Sequence, residues 1–289
     1  MYDARGRTIA AGGGNELWFG LGILAVAAIV FLAVWKGPDL MSGGGAAKFA
    51  GGPERARVAA VFPDERMQDV ILSMKEIDPV GYADFARGFD RGDTTATMQV
   101  GFTEWNQLFY ISNMDALAYI DMKYVDRVMA VSRERLRALS AEGSRWCKGS
   151  TYIAYQRMPQ HRVQEELKRL VAGADKPGTP LYEFNLEMNL IMVEAIAEAK
   201  RKPKHYGKPG TDDMMTLVMT AEGLKKAPEF AMFRSGREPS PSEIARADVC
   251  LMGSKLLKVA IALPKSTKGK LWQAGLTGEF KPDGLAGLR

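Results

Sequence analysis

Apolar residues recur along most of this chain at the spacing of one helical face. Met67, Val70, Ile71, Met74 and Ile77 predict a helix that stops before Pro79. Leu117, Ile120, Tyr124, Val128 and Val131 line a second one, read from Met114 to Leu139. Val163, Leu167, Leu170 and Val171 predict a shorter helix ended by Gly173. Phe184, Met188, Ile191, Met192, Ala195, Ile196 and Ala199 form the longest clean stripe. Ser240-Pro241-Ser242-Glu243 has the form of a capping box with Pro at the first helical position. It opens a helix carrying Ile244, Ala247, Cys250, Leu251, Leu257 and Ile261, closed by Pro264. Strand-like alternation and fixed-period repeats are absent. The expectation is an all-α bundle of about seven to nine helices over residues 54–289, with an irregular tail after residue 264.

One segment departs from the amphipathic pattern by being apolar on every face. Residues 17–35 read LWFGLGILAVAAIVFLAVW without a charge. As a helix they cover roughly 28 Å, close to the thickness of a hydrocarbon core. Trp18 and Trp35 stand at the two ends, where amphipathic rings favour the membrane interface. The apolar stretch is longer than that of a cleaved signal peptide, and no A-x-A-like site closely follows it. It reads as an uncleaved signal anchor behind a short tail, residues 1–16. Gly20-Leu-Gly22-Ile-Leu-Ala25 matches a dinucleotide fingerprint only by accident, because the glycines lie inside the apolar segment. Gly22, Ala25 and Ala28 make a small-residue stripe, read either as a contact for a neighbouring span or as lipid-facing filler.

Residues 36–53, KGPDLMSGGGAAKFAGGP, have neither period and read as a flexible tether of about 20–25 Å end to end. Basic residues flank the segment on both sides: Arg5 and Arg7 before it, Lys36, Lys48 and Arg55 after it. The positive-inside count therefore leaves orientation open. A short amino tail with a long following domain favours export of the domain to a bacterial periplasm.

Composition adds two exclusions. With 25% charged and 46% hydrophobic residues the chain is neither a disordered acidic tail nor a polytopic membrane protein. With 2 His it lacks the ligands of most zinc and diiron sites, and no metal or cofactor is expected. Charge is unevenly spread. Residues 54–126 hold 7 basic and 13 acidic residues, a net −6, whereas residues 127–289 hold 28 and 18, a net +10. The basic part concentrates in Lys200, Arg201, Lys202, Lys204 and Lys208. An acidic protein partner, an anionic lipid headgroup or plain solvation each accounts for that run, whereas nucleic acid is disfavoured for an exported domain.

The candidate chemistry is sparse. Nucleophile-elbow, P-loop, zincin and EF-hand motifs are all missing, and Gly207–Thr211 reads as a turn before a helix capped by Thr211. Glu183, Glu187, Glu194 and Glu198 repeat opposite the apolar stripe and read as a solvated acidic face. Glu104, beside Trp105 and Asn106, is the one weak catalytic candidate, a general acid if an apolar pocket encloses it. Met214, Met215 and Met219 share a short helix and read as core filling rather than a copper site or an adaptable binding face. Cys147 and Cys250 both fall on core-facing positions, and the sequence leaves open whether they form one bridge or two buried thiols.

These readings converge on a single-pass inner-membrane protein acting as an accessory or scaffold subunit of a membrane complex. Its expected partners are the bilayer and other membrane-complex subunits. A membrane-anchored peptidoglycan-active enzyme and a cytoplasm-facing adaptor are the alternatives.

Overall fold

The computed structural model describes residues 52–156, 158–159, 162, 177–233 and 239–278. These residues are helical, with no strand among them and one isolated bridge between Lys148 and Asp248. In chain order the helices are α1 (Pro53–Ala59), α2 (Glu65–Ile77), α3 (Pro79–Arg91), α4 (Thr95–Ser112), α5 (Met114–Ala118) and α6 (Met122–Ala141). After a 3-10 turn at Arg145–Cys147 come α7 (Gly149–Gln156), α8 (Pro180–Arg201) and α9 (Thr211–Lys226). A second 3-10 turn, Pro228–Phe233, precedes α10 (Pro241–Arg246), α11 (Val249–Ala262) and α12 (Lys265–Thr277).

Side-chain caps set most of the starts. Asp64, Asp78, Thr94, Asp121, Thr179 and Asp248 each accept a hydrogen bond from a backbone N–H of the following turn. Pro53, Pro79, Pro180 and Pro241 sit where their missing N–H costs nothing. The Ser240 capping box forms as the motif predicts: Glu243 N–H donates to Ser240 Oγ at 3.3 Å and Ser240 N–H donates to Glu243 Oε2 at 2.8 Å.

The 22-residue α8 spans about 33 Å and is the axis of the bundle. It packs on α2, α5 and α6, and α11 lies along the other side of α6. Toward the amino end, an aromatic cluster joins the loop before α2 to α3 and α4. Phe85 stacks on Trp105 with centroids 5.4 Å apart, Phe62 and Phe102 pack edge-on nearby, and Trp105 Nε1 donates to Asp78 Oδ2 at 2.9 Å. Gly81 belongs in this cluster because a Cβ there would lie 2.5 Å from the indole nitrogen. One buried polar tie crosses the core, from the Tyr110 hydroxyl to Asn189 Oδ1 at 2.7 Å.

Three expectations are corrected. The helix read from Met114 to Leu139 is two, α5 and α6, because Asp121 caps a new start within the apolar stripe. The helix read from Ser240 to Pro264 is likewise broken between Arg246 and Val249, where Asp248 accepts from Leu251 N–H at 2.8 Å. The stretch read as an irregular tail contains α12, so the bundle has more and shorter helices than seven to nine. Helix α12 carries little amphipathic pattern and depends on tertiary contacts. Trp272 Nε1 donates to the Leu117 carbonyl at 2.8 Å, and Lys268, only 4% exposed, places its ammonium on Asp126 of α6 and on the Ile261 carbonyl at 3.0 Å.

No helix among the described residues is long and apolar enough to cross a membrane. The apolar segment 17–35, with Trp18, Trp35, Gly22, Ala25 and Ala28, lies outside the described residues, as do the tether up to residue 51 and the helix read around Val163–Gly173.

The α12 staple is open to direct measurement. Lys268→Met keeps the aliphatic stem but strips Asp126 and the Ile261 carbonyl of their ammonium. Removing one partner of a buried pair costs about 3–5 kcal/mol, and the half-covered Asp126 lowers that to about 2–3 kcal/mol. Urea unfolding of the variant should show the midpoint falling with an unchanged slope.

Candidate functional site

The basic run lies between α8 and α9. Helix α8 ends at Arg201 because Pro203 cannot continue it, and Lys200 and Arg201 in its last turn complement the negative end of the helix dipole. The next nine residues have no regular structure, yet their backbone is tied down at successive points. Lys204 N–H donates to the Tyr119 carbonyl at 2.8 Å. Tyr206 N–H donates to Gln273 Oε1 at 3.0 Å. The Tyr206 hydroxyl accepts from Met122 N–H at 3.1 Å and donates to the Ile120 carbonyl at 3.2 Å. Its ring lies flush on Gly269 of α12, where a Cβ would come within 2.2 Å. His205 packs against Tyr119 with ring centroids 4.9 Å apart. Gly207, at φ 81°, makes the left-handed turn that leads into α9.

The far end of the turn is held by Asp213. Its carboxylate accepts from Gly210 N–H at 2.9 Å, from Thr267 Oγ1 at 2.8 Å and from Lys270 Nζ at 2.9 Å. The Gly210 amide, and behind it Lys270 and Thr267, hold this carboxyl below the ordinary range against the opposing effect of burial. Helix α9 therefore starts after Gly210 through a carboxylate reaching back from its third residue, and Thr211 is not the cap that the sequence predicts.

On this frame the side chains of Lys200, Arg201, Lys202, Lys204 and Lys208 are all exposed. Lys204 Nζ stands 3.9 Å from Asp121. The site is thus a rigid turn presenting five cations from a short span of chain.

The acidic row of α8 is a docking seam more than a solvated face. Glu183 meets Arg66 of α2 at 3.3 Å. Glu194 meets Arg127 at 2.9 Å, and Glu198 meets Lys123 at 2.6 Å and accepts from the Tyr124 hydroxyl at 2.7 Å. Lys123 and Tyr124 hold Glu198 below the usual carboxyl range, whereas burial pushes Glu187 up. The row locks α6 and α2 against α8, just ahead of the cationic turn.

Glu104 is not enclosed by an apolar pocket. It is exposed on the outer face of α4, away from the Trp105 cluster. The methionines also differ from expectation: Met215 is 49% and Met219 73% exposed, so these two do not fill the core. Cys147 and Cys250 are both buried and joined by a disulfide, with Cα atoms 4.8 Å apart. Cys147 lies on the 3-10 turn and Cys250 in the first turn of α11. Asp248 lies close to both sulfurs, but sulfurs bonded to one another are not available as metal ligands.

Tyr206, Asp213, Lys268 and Trp272 organise the site and carried no signal as single residues. A Gly three positions before an Asp at a helix start is the one trace of Asp213 in the sequence.

Two outcomes follow from this geometry. Asp213→Asn weakens the three hydrogen bonds this side chain accepts and should cost about 1–3 kcal/mol of stability. Because the native carboxyl titrates below the unfolded one, its contribution is complete above the unfolded value and disappears as pH falls through the native value. The gap between wild type and variant in an acid titration of unfolding should close on that side only. Separately, reducing or replacing the Cys147–Cys250 bridge frees a loop spanning a sequence separation of 103 residues, with an expected loss of about 2–5 kcal/mol in denaturant unfolding with and without dithiothreitol.

No family model matches the chain, and neither a curated protein nor a solved structure matches it.

Proposed function

We propose that the chain is a single-pass envelope protein of a bacterial inner membrane, held there by residues 17–35. Its helical domain serves as an accessory or scaffold subunit of a membrane complex, in contact with partners through the span and the basic turn. The pinned turn carries this reading. A merely solvated basic loop has no need of a fixed backbone, whereas residues 204–210 are bound to α5, α6, α9 and α12 at once. Ordering the backbone in advance lowers the entropic cost of binding, so five cations held in one place recognise an acidic surface better than the same five on a free coil.

The disulfide supports placement of the domain in the periplasm, where oxidised pairs persist. Glu104, on which the peptidoglycan-enzyme alternative rested, is exposed.

The reading is tested by replacing Lys200, Arg201, Lys202, Lys204 and Lys208 together with Ser. Partner recovery in mild detergent should fall while helicity by circular dichroism stays the same. The deficit should widen as ionic strength falls, because screening hides the charges at high salt. Unchanged recovery at every salt concentration would remove the basic turn from the interface. A reporter fused after Arg289 should be active only outside the cytoplasm, and a non-reducing gel of the full chain should show a mobility shift lost in Cys147→Ser.

A further inference from the structure

Helix α4 is unusual in this bundle. Its inner face, Met98, Phe102, Trp105 and Phe109, is buried in the aromatic cluster. Its outer face is apolar too: Val100 is 59% exposed, Leu108 60% and Ile111 54%. These residues fall at helical spacing in one stripe about 16 Å long. The only charge in all eighteen residues of α4 is Glu104, set between Val100 and Leu108. Val80, at the start of α3, is also exposed, at 74%.

The end of α4 and the basic turn are separated by one short helix. Ile111 lies in the last turn of α4, and Asn113 leads directly into α5. Helix α5 rises only about 7.5 Å over its five residues. At its exit the Tyr119 carbonyl accepts the backbone N–H of Lys204. An exposed apolar stripe and a fixed cluster of cations thus flank one short helix. Apolar side chains beside Lys and Arg form the surface that settles on an anionic lipid interface.

The chain outside the described residues points to the same occupant. The uncharged segment 17–35 is followed by a Gly-rich stretch that enters the domain at Gly52. Its span of about 20–25 Å is comparable to the radius of the domain, so the bilayer surface is the one large apolar and anionic surface always within reach.

We infer that the α4 stripe (Val100, Leu108, Ile111), together with the basic turn, seats the domain on the anionic lipid surface beside its own anchor. This rests on the anchoring proposed above and describes the domain while its basic turn is not engaged by a protein partner. Val, Leu and Ile enter the headgroup boundary while Lys200, Arg201, Lys202, Lys204 and Lys208 meet lipid phosphates. Glu104 opposes seating, since a carboxylate in the stripe must be desolvated against like charge. The surface is therefore balanced and not permanently inserted.

The test uses the full chain in lipid nanodiscs of zwitterionic lipid alone or with an added anionic lipid. A nitroxide is placed at Leu108→Cys, and in a second preparation at Glu134→Cys on the exposed face of α6, with the native cysteines bonded. Accessibility to oxygen and to a nickel chelate is then compared. Position 108 should change from nickel-accessible in zwitterionic discs to oxygen-accessible in anionic discs, while position 134 stays in water throughout. The five-Ser variant should reduce the immersed fraction by about tenfold or more. Glu104→Gln should raise it.

If position 108 stays nickel-accessible in anionic discs, or is immersed equally in the five-Ser variant, the inference is overturned. Spin–spin broadening at position 108 would place a second copy on the stripe and overturn it as well. If the chain is not retained by discs at all, the anchoring fails, and the inference fails with it. If it is retained with position 108 in water, the inference fails alone.

Discussion

A break in a helix inside a bundle leaves backbone groups that need partners, and here the break between α5 and α6 determines how the remaining elements are placed. The carbonyls of Leu117, Tyr119 and Ile120 and the N–H of Met122 all lie at the interruption. They are met in turn by the Trp272 indole, the Lys204 amide and, for the last two, the single hydroxyl of Tyr206. Each such group left buried without a partner would cost about 1–3 kcal/mol. The four bonds together therefore outweigh any propensity of residues 204–206 or 265–277. They require α12 to lie across α5, require Gly at position 269 to admit the Tyr206 ring, and hold the cationic turn still.

The same break explains what could and could not be read from residue spacing. Helices α2 and α8 were legible because their stripes, Met67–Ile77 and Phe184–Ala199, run uninterrupted onto the core. The Ser240 box was legible because both of its hydrogen bonds are local. The interruptions at Asp121 and Asp248 were not, since each lies where a polar residue on the outer side of one continuous helix would also fall. The apolar period passes through both capping aspartates undisturbed. Only a partner far along the chain decides the matter: Tyr206 for the first break, and for the second the Gly149 amide, which donates to the Ala247 carbonyl at 2.8 Å. Helix α12 was hidden for a related reason. Gly269 and Lys268 look unfavourable for a buried helix until Tyr206 and Asp126 are placed against them.

Of the site, the identity of the cations was plain in the sequence and their rigidity was not. Lys200 to Lys208 stand out by composition, but whether such a run is solvent-borne or presented depends on backbone bonds made to residues more than sixty positions away in either direction. Exposure was similarly illegible for α4 and α9. Val100, Leu108, Ile111, Met215 and Met219 sit at spacings that core residues also use. In α4 both faces are apolar, so periodicity alone does not identify the outer one.

The disulfide completes the frame by acting on a different part of the chain. It fastens the start of α11 to the turn that follows α6, next to the Ser140 hydroxyl bonded to Asp248 at 2.6 Å. In chain order α7 to α10, including the basic turn, lie between those two fixed points. Lys268, bonded to the Ile261 carbonyl near the end of α11 as well as to Asp126 of α6, ties the same two helices at their other end. The bridge at one end of α11 and the buried lysine at the other therefore hold one register. That register also fixes Gly269, one residue beyond Lys268, beneath the tyrosine that anchors the cationic turn. The geometry of an exposed surface is in this way set by a buried ammonium and a covalent bond, neither of which belongs to the surface itself.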